Sequence, residues 1–204
     1  MPGHPDDLLR NDVFFALLGK AERGDYQAVV AGIQCSTFSV ARFKPNGAPV
    51  VRRHGQEQSR GLRGCEFERL PEANQLEAEL ANELAWRALA IALAVQKAGG
   101  VFVIENPVDR NGPIAEELGL CFLMPEHVSL WQLEEMRALQ GITGGVLVHF
   151  PQCALGGRAQ KWTTLMYSPA LRGLAALGAL RCTQSSEFRV YISQNTTSRP
   201  GKSS

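Results

Sequence analysis

Apolar positions in this chain fall into several short continuous runs and one long periodic stretch. "YQAVVAGI", Tyr26 to Ile33, is a compact valine-containing run, the pattern of a buried strand. Val101 to Ile104 repeats that pattern. Between them, Leu76, Leu80, Leu84, Ala88 and Ile91 recur at spacings of three and four. That spacing predicts a helix over Pro71–Ala98 with one apolar face, stopped by Gly99 and Gly100. Ahead of the first strand, Asn11 predicts the cap of a short helix carrying Val13, Phe14, Leu17 and Leu18, closed by Gly24. Downstream, a short amphipathic helix is expected over Val128–Leu139, strands over Val146–Phe150 and Trp162–Tyr167, and a helix over Pro169–Leu177. Arg42 to Gly64 has no periodicity and contains Gly and Pro, so it reads as a long loop. From Ser193 the chain is polar and is expected to be a disordered tail, which leaves a domain over 1–192 and a tail over 193–204. Strand, helix, strand, then further helices and strands predicts an α/β fold with a mostly parallel sheet.

Composition changes this picture little. The 204 residues suffice for one domain with a real core. The net charge of +1 means that any nucleic-acid surface must be local. The expected loop is where basic charge concentrates: Arg42, Lys44, Arg52, Arg53, Arg60 and Arg63 face a single acid, Glu57. The cysteines, Cys35, Cys65, Cys121, Cys153 and Cys182, are odd in number, widely spaced and free of any CxxC pair. That speaks against a disulfide framework or a zinc knuckle and for a reducing, intracellular setting. No signal peptide is evident. The longest apolar stretch, Ala85 to Val95, contains Arg87 and is too short to span a bilayer.

Two strand ends carry chemistry. Cys35 follows the first strand and Glu105-Asn106-Pro107 closes the second. In parallel sheets functional residues gather at the carboxyl ends of strands. A cysteine there is more often a packing thiol, and Glu-Asn-Pro also reads as a turn. The order is what singles them out: a thiol, a basic loop, a carboxylate at the next strand end, then Gln152 and Lys161 in a later strand region. A cysteine hydrolase would need a histidine base, and His54, His127 and His149 carry no local signature of one.

The same residues resemble the DNA cytosine-5 methyltransferases. Cys35-Ser36-Thr37-Phe38-Ser39 matches the family's Pro-Cys-x-x-Phe-Ser, with Gln34 in the proline position. Glu105-Asn106-Pro107 matches its Glu-Asn-Val or Glu-Asn-Pro. "HFPQCALGGRAQKWTTLMYSP" and "ANELAWRALAIALAVQKAGGVFVIENP" resemble a divergent branch often carried by mobile elements and viruses. The resemblance runs from about Asp7 to Pro169. It implies a Rossmann-like methyltransferase core lacking its first strands, because nothing before Tyr26 fits the family's Phe-x-Gly-x-Gly turn for S-adenosylmethionine.

The roles implied are concrete. Cys35 would add to cytosine carbon 6, Glu105 would hydrogen-bond the base, and Asn106 would be scaffolding within that catalytic set. Ser36, Ser39, Pro107 and Gln152 would position the substrate; Arg42, Lys44, Arg52, Arg53 and Lys161 would contact DNA. The cofactor would be S-adenosylmethionine, in a domain completed by a further N-terminal segment. Expected partners are DNA and either such a complementing half or a second copy of the chain. The alternative is a non-catalytic DNA-binding or protein-interaction module on the same fold.

Overall fold

The protein is described by a computed structural model over residues 7–43, 50–52, 70–120, 127–157 and 161–182. Lys44, Arg53, His54, most of the expected basic loop and the polar tail lie outside the described residues. The elements are α1 (Asn11–Glu22), β1 (Ala28–Gly32), α2 (Glu72–Lys97), β2 (Val101–Pro107), α3 (Pro113–Glu117), α4 (Glu134–Thr143), β3 (Val146–Pro151) and β4 (Trp162–Tyr167). Short 3-10 turns follow β1, precede α4 and follow β3 and β4.

The four strands form one sheet in the order β1-β2-β4-β3. β1 and β2 are parallel, with Ala28 opposite Val101 and Gly32 opposite Glu105. β4 runs antiparallel to both β2 and β3. The fold is therefore mixed α/β, and the expectation of a mostly parallel sheet is corrected: one of its pairings is parallel and two are antiparallel. Chain length explains the difference. Only the ten residues 152–161 join β3 to β4, fewer than the dozen or so that a parallel crossover needs. β4 folds back as a hairpin and inserts beside β2. β1, β2 and β3 still point the same way, so their carboxyl ends and the start of β4 share one edge of the sheet.

The main core cluster lies on the face that α2 covers. Phe102 and Ile104 of β2 pack with Ala85, Leu89 and Ala92 of α2 and with Met136 and Leu139 of α4. α1 packs on α2 through Phe14 and Ala21 against Ile91 and Val95. The residues of α2 that reach the core are not wholly those of the leucine stripe. Ala78, Ala81, Ala85 and Ala92 are buried, whereas Leu76 and Leu80 are 54% and 42% exposed. Alanines let the helix lie close to the sheet, and the bulkier leucines ride outside that contact. Gly100 is needed for a similar reason. A Cβ there would sit 2.6 Å from Val95 Cγ1 and 2.9 Å from the Gln27 carbonyl oxygen.

Three further boundaries differ from expectation. β2 continues through Glu105-Asn106-Pro107, paired with Leu165, Thr164 and Thr163 of β4. Proline is tolerated there because its polar backbone faces away from β4: the Pro107 carbonyl accepts from Trp131 Nε1 at 2.7 Å, while Val108 N–H bonds back to Trp162. β1 has already ended at Gly32, so the missing donor breaks no ladder bond. The helix expected over Val128–Leu139 is a 3-10 turn (Leu130–Gln132) followed by α4. Trp131 and Gln132 are drawn out of helical continuity by bonds to Pro107 and Asp109. The helix expected over Pro169–Leu177 is a 3-10 run, Arg172–Ala179.

β1 is an edge strand. Among the described residues nothing pairs with its outer side. Beside it runs an apolar groove of about 640 Å³ walled by Leu8, Leu17, Tyr26, Val29, Leu84 and Ile91 among others. Val30 is 76% exposed and no charged residue lies within the strand. Such an edge recruits other strands. Light scattering is expected to show concentration-dependent association, which Val30→Lys suppresses. A wild type that stays monomeric on concentration, indifferent to that substitution, contradicts this.

Candidate functional site at the strand ends

The parallel pairing of β1 and β2 sets the site. Gly32 stands opposite Glu105, and the chain leaving β1 reaches Cys35 three residues later. Asn106 ties the two strand ends together: it is fully buried, and its Nδ2 donates to the Ile33 carbonyl at 2.8 Å. Asn106 alternates with Glu105 along β2, so the two lie on opposite faces of the sheet.

Glu105 lies on the less covered face, where the β3–β4 hairpin meets it. Gln152 N–H donates to the Lys161 carbonyl at 2.8 Å, extending the ladder one step past Pro151 and Trp162. Residues opposite each other in an antiparallel pair share a face. Lys161 Nζ is 3.3 Å and Gln152 Nε2 is 3.5 Å from Glu105 Oε1. Three sequence-predicted residues from three strand ends therefore converge. Lys161, expected among the DNA contacts, is an ion-pair partner of Glu105. At 39% and 28% side-chain exposure the pair is worth about 0–1 kcal/mol, so an entering polar group can displace it at little cost.

The loop after β1 is braced from within. Phe38 N–H donates to the Cys35 carbonyl at 3.0 Å. Ser39 Oγ accepts from Ala41 N–H at 3.1 Å and starts the 3-10 turn Val40–Phe43. Arg42 Nε donates to the Ser36 carbonyl at 2.5 Å, and its guanidinium pairs with Glu77 of α2. Arg52 is 2% exposed, stacked 4.0 Å over the Phe38 ring, and donates to Asn82 Oδ1 at 2.5 Å. Burial, and secondarily the nearby Arg42 cation, pull its pKa down to about 9. These two arginines were expected to meet phosphates. Arg52 is instead an internal cation that fixes Phe38 against α2, and Arg42 clamps the loop to the same helix; burial decides both.

Four side-chain oxygens here are buried with no hydrogen-bond partner among the described residues: Ser36 Oγ, Thr37 Oγ1, Asn106 Oδ1 and Thr163 Oγ1. Each such group costs about 1–3 kcal/mol. They belong to the Cys35 loop, to the Glu-Asn-Pro segment and to the β4 residue paired with Pro107. No histidine hydrogen-bonds Cys35 among the described residues. His149 Nδ1 lies 2.8 Å from Thr164 Oγ1, and burial holds its pKa below the usual imidazole value. His127 contacts Phe38 and Arg110. Sequence reasoning missed the structural part of His127, Glu77 and Asp109, whose contacts with other elements are long-range and leave no local pattern. Among the described residues there is no cluster of three or more metal-ligating side chains, and no helix is long and apolar enough to cross a membrane.

Comparison with known proteins returns no match among family models, curated proteins or solved structures.

Proposed function

We propose that this chain is a DNA cytosine-5 methyltransferase-like protein in which the strand-end site binds an extruded cytosine and adds a thiolate to it. The observation that carries the reading is the convergence of Glu105, Gln152 and Lys161 beside the strand end that leads into Cys35. The unpartnered buried oxygens of Ser36 and Thr37 in the Cys35 loop add support, as a site with unmet hydrogen-bonding capacity suits a polar ligand.

In this reading the base leaves its stack to enter the site. Glu105 leaves Lys161, takes a proton from solvent and donates it to ring nitrogen 3, while its other oxygen accepts from the exocyclic amine. The Cys35 thiolate forms a bond to carbon 6, and the carbon 5–carbon 6 π pair shifts to make carbon 5 nucleophilic. Carbon 5 then takes an electrophile, loses its original proton, and the carbon–sulfur bond breaks to restore the ring. Asn106 and Pro107 hold the strand end, Arg42 and Arg52 hold the Cys35 loop, and Lys161 is released toward the nucleic acid as the base enters.

S-adenosylmethionine is the methyl source that the resemblance implies, but the groove beside β1 does not fit it. Among the described residues that line the groove beside β1, Tyr26 and Gln34 are the only ones whose side chains have polar atoms, and none is charged to meet an amino-acid head group. We therefore assign the cofactor to a complementing segment or partner that docks on the β1 edge, and a reducing, intracellular compartment to the protein, since Cys35 must stay a thiol. The apolar groove is also what favours the second reading, a non-catalytic interaction module on this fold. Exchange of the carbon 5 proton separates the two without any methyl donor. Incubated in D₂O with a single-stranded oligonucleotide, the chain is expected to place deuterium at cytosine carbon 5, read by mass spectrometry. No exchange above solvent background at saturating oligonucleotide favours the module.

A further inference from the structure

We propose that His127 is a positioning residue for Cys35, cross-linking the loop that leaves β1 to the loop that leaves β2. The ring is 2% exposed. Its Nε2 lies 2.7 Å from the Phe38 carbonyl oxygen, which can only accept, so Nε2 carries the proton. Its Nδ1 accepts from the Arg110 backbone N–H at 3.3 Å. These bonds together select one tautomer and one ring orientation. Phe38 is the residue whose N–H closes the turn onto the Cys35 carbonyl, and Arg110 lies three residues beyond Pro107. One imidazole thereby spans the two segments whose ends carry the thiol and the carboxylate.

The ring is itself held. Asn111 Nδ2 donates to the His127 carbonyl at 3.3 Å. Asp109 Oδ1 accepts from Asn111 N–H at 2.9 Å, and its Oδ2 accepts from Gln132 Nε2 at 2.7 Å. Asp109 Oδ1 is 3.6 Å from Nδ1, beyond a hydrogen bond, which leaves Nδ1 to Arg110. Phe43 meets the ring edge-on, with centroids 6.3 Å apart. Arg42 and Arg52 brace the Cys35 loop toward α2; His127 braces it toward β2, so the loop is fixed from two directions. That the placement of Cys35 serves catalysis rests on the reading above; the cross-link does not.

The test reads Cys35 directly. Alkylation by iodoacetamide of the native chain, followed peptide by peptide, gives a rate for Cys35 with the buried Cys153 as internal reference. His127→Leu removes both hydrogen bonds and is expected to raise the Cys35 rate about fivefold, the effect of losing one buried hydrogen bond on loop opening, with the Cys153 rate unchanged. His127→Gln can donate to Phe38 and accept from Arg110, and is expected to return the rate toward wild type. A folded His127→Leu chain whose Cys35 rate stays within about twofold of wild type overturns the proposal, being less than that one bond supplies. Equal acceleration of Cys35 and Cys153 also overturns it, as general loosening. Should His127→Leu fail to fold, ¹⁵N NMR of the wild-type imidazole decides: a proton on Nε2 supports the cross-link, and one on Nδ1 alone overturns it. Neither readout uses DNA or a methyl donor, so this test and the carbon 5 exchange test fail independently.

Discussion

Cys35→Ala is expected to reduce deuterium exchange at cytosine carbon 5 to the solvent background. The argument is chemical. Carbon 5 becomes nucleophilic only when a nucleophile saturates carbon 6, and a methyl side chain cannot do so. Cys153 is 7% exposed, follows the outer strand of the sheet, and is a poor substitute. The substitution removes one sulfur from a half-exposed position, so the fold should survive, and circular dichroism checks that it does. Exchange that persists in folded Cys35→Ala would place the nucleophile elsewhere and remove the thiol-addition mechanism.

Glu105→Gln is expected to slow the same exchange about 100-fold or more, the scale of one positioned acid or base. A glutamine keeps the shape of the side chain. It loses the negative charge that Lys161 faces, and presents an amide where the base amine and ring nitrogen require a carboxyl group. Stability should change little, because a partly exposed ion pair contributes about 0–1 kcal/mol. Urea unfolding alongside the exchange assay separates the two effects. A Glu105→Gln chain exchanging at the wild-type rate would reduce Glu105 to a surface counter-ion of Lys161.

How much of this was legible in the sequence depends on the range of the interactions. α2 and β2 were readable, because a 3.6-residue period and a valine-rich run are local signals. The direction of β4 was not read from its apolar run, which is equally consistent with either pairing; the short connection from β3 sets it. The extension of β2 through Pro107 was missed because proline argues against a central strand, unless the neighbour strand has already ended, and that is a tertiary fact. At the site, the order of Cys35, Glu105, Gln152 and Lys161 was legible, and the sheet brings the last three together. Charge misled where burial intervened. Arg52 looks like any other arginine of a basic loop, and only the Phe38 ring beneath it and Asn82 beside it reveal an internal cation. His127 gave no signal at all, since both of its partners lie far away in the chain.

The most direct test of the central claim is capture of the covalent adduct. In 5-azacytosine, nitrogen replaces carbon 5, which makes carbon 6 more electrophilic; a thiolate adds to carbon 6, the electron pair moves to nitrogen 5, and solvent protonates it. The chain is incubated with an oligonucleotide carrying that base, then denatured, digested and analysed by mass spectrometry. The account predicts a single oligonucleotide bonded to the peptide containing Cys35, absent from Cys35→Ala and strongly reduced in Glu105→Gln. An adduct on any other cysteine, or none with the oligonucleotide demonstrably bound, would contradict it.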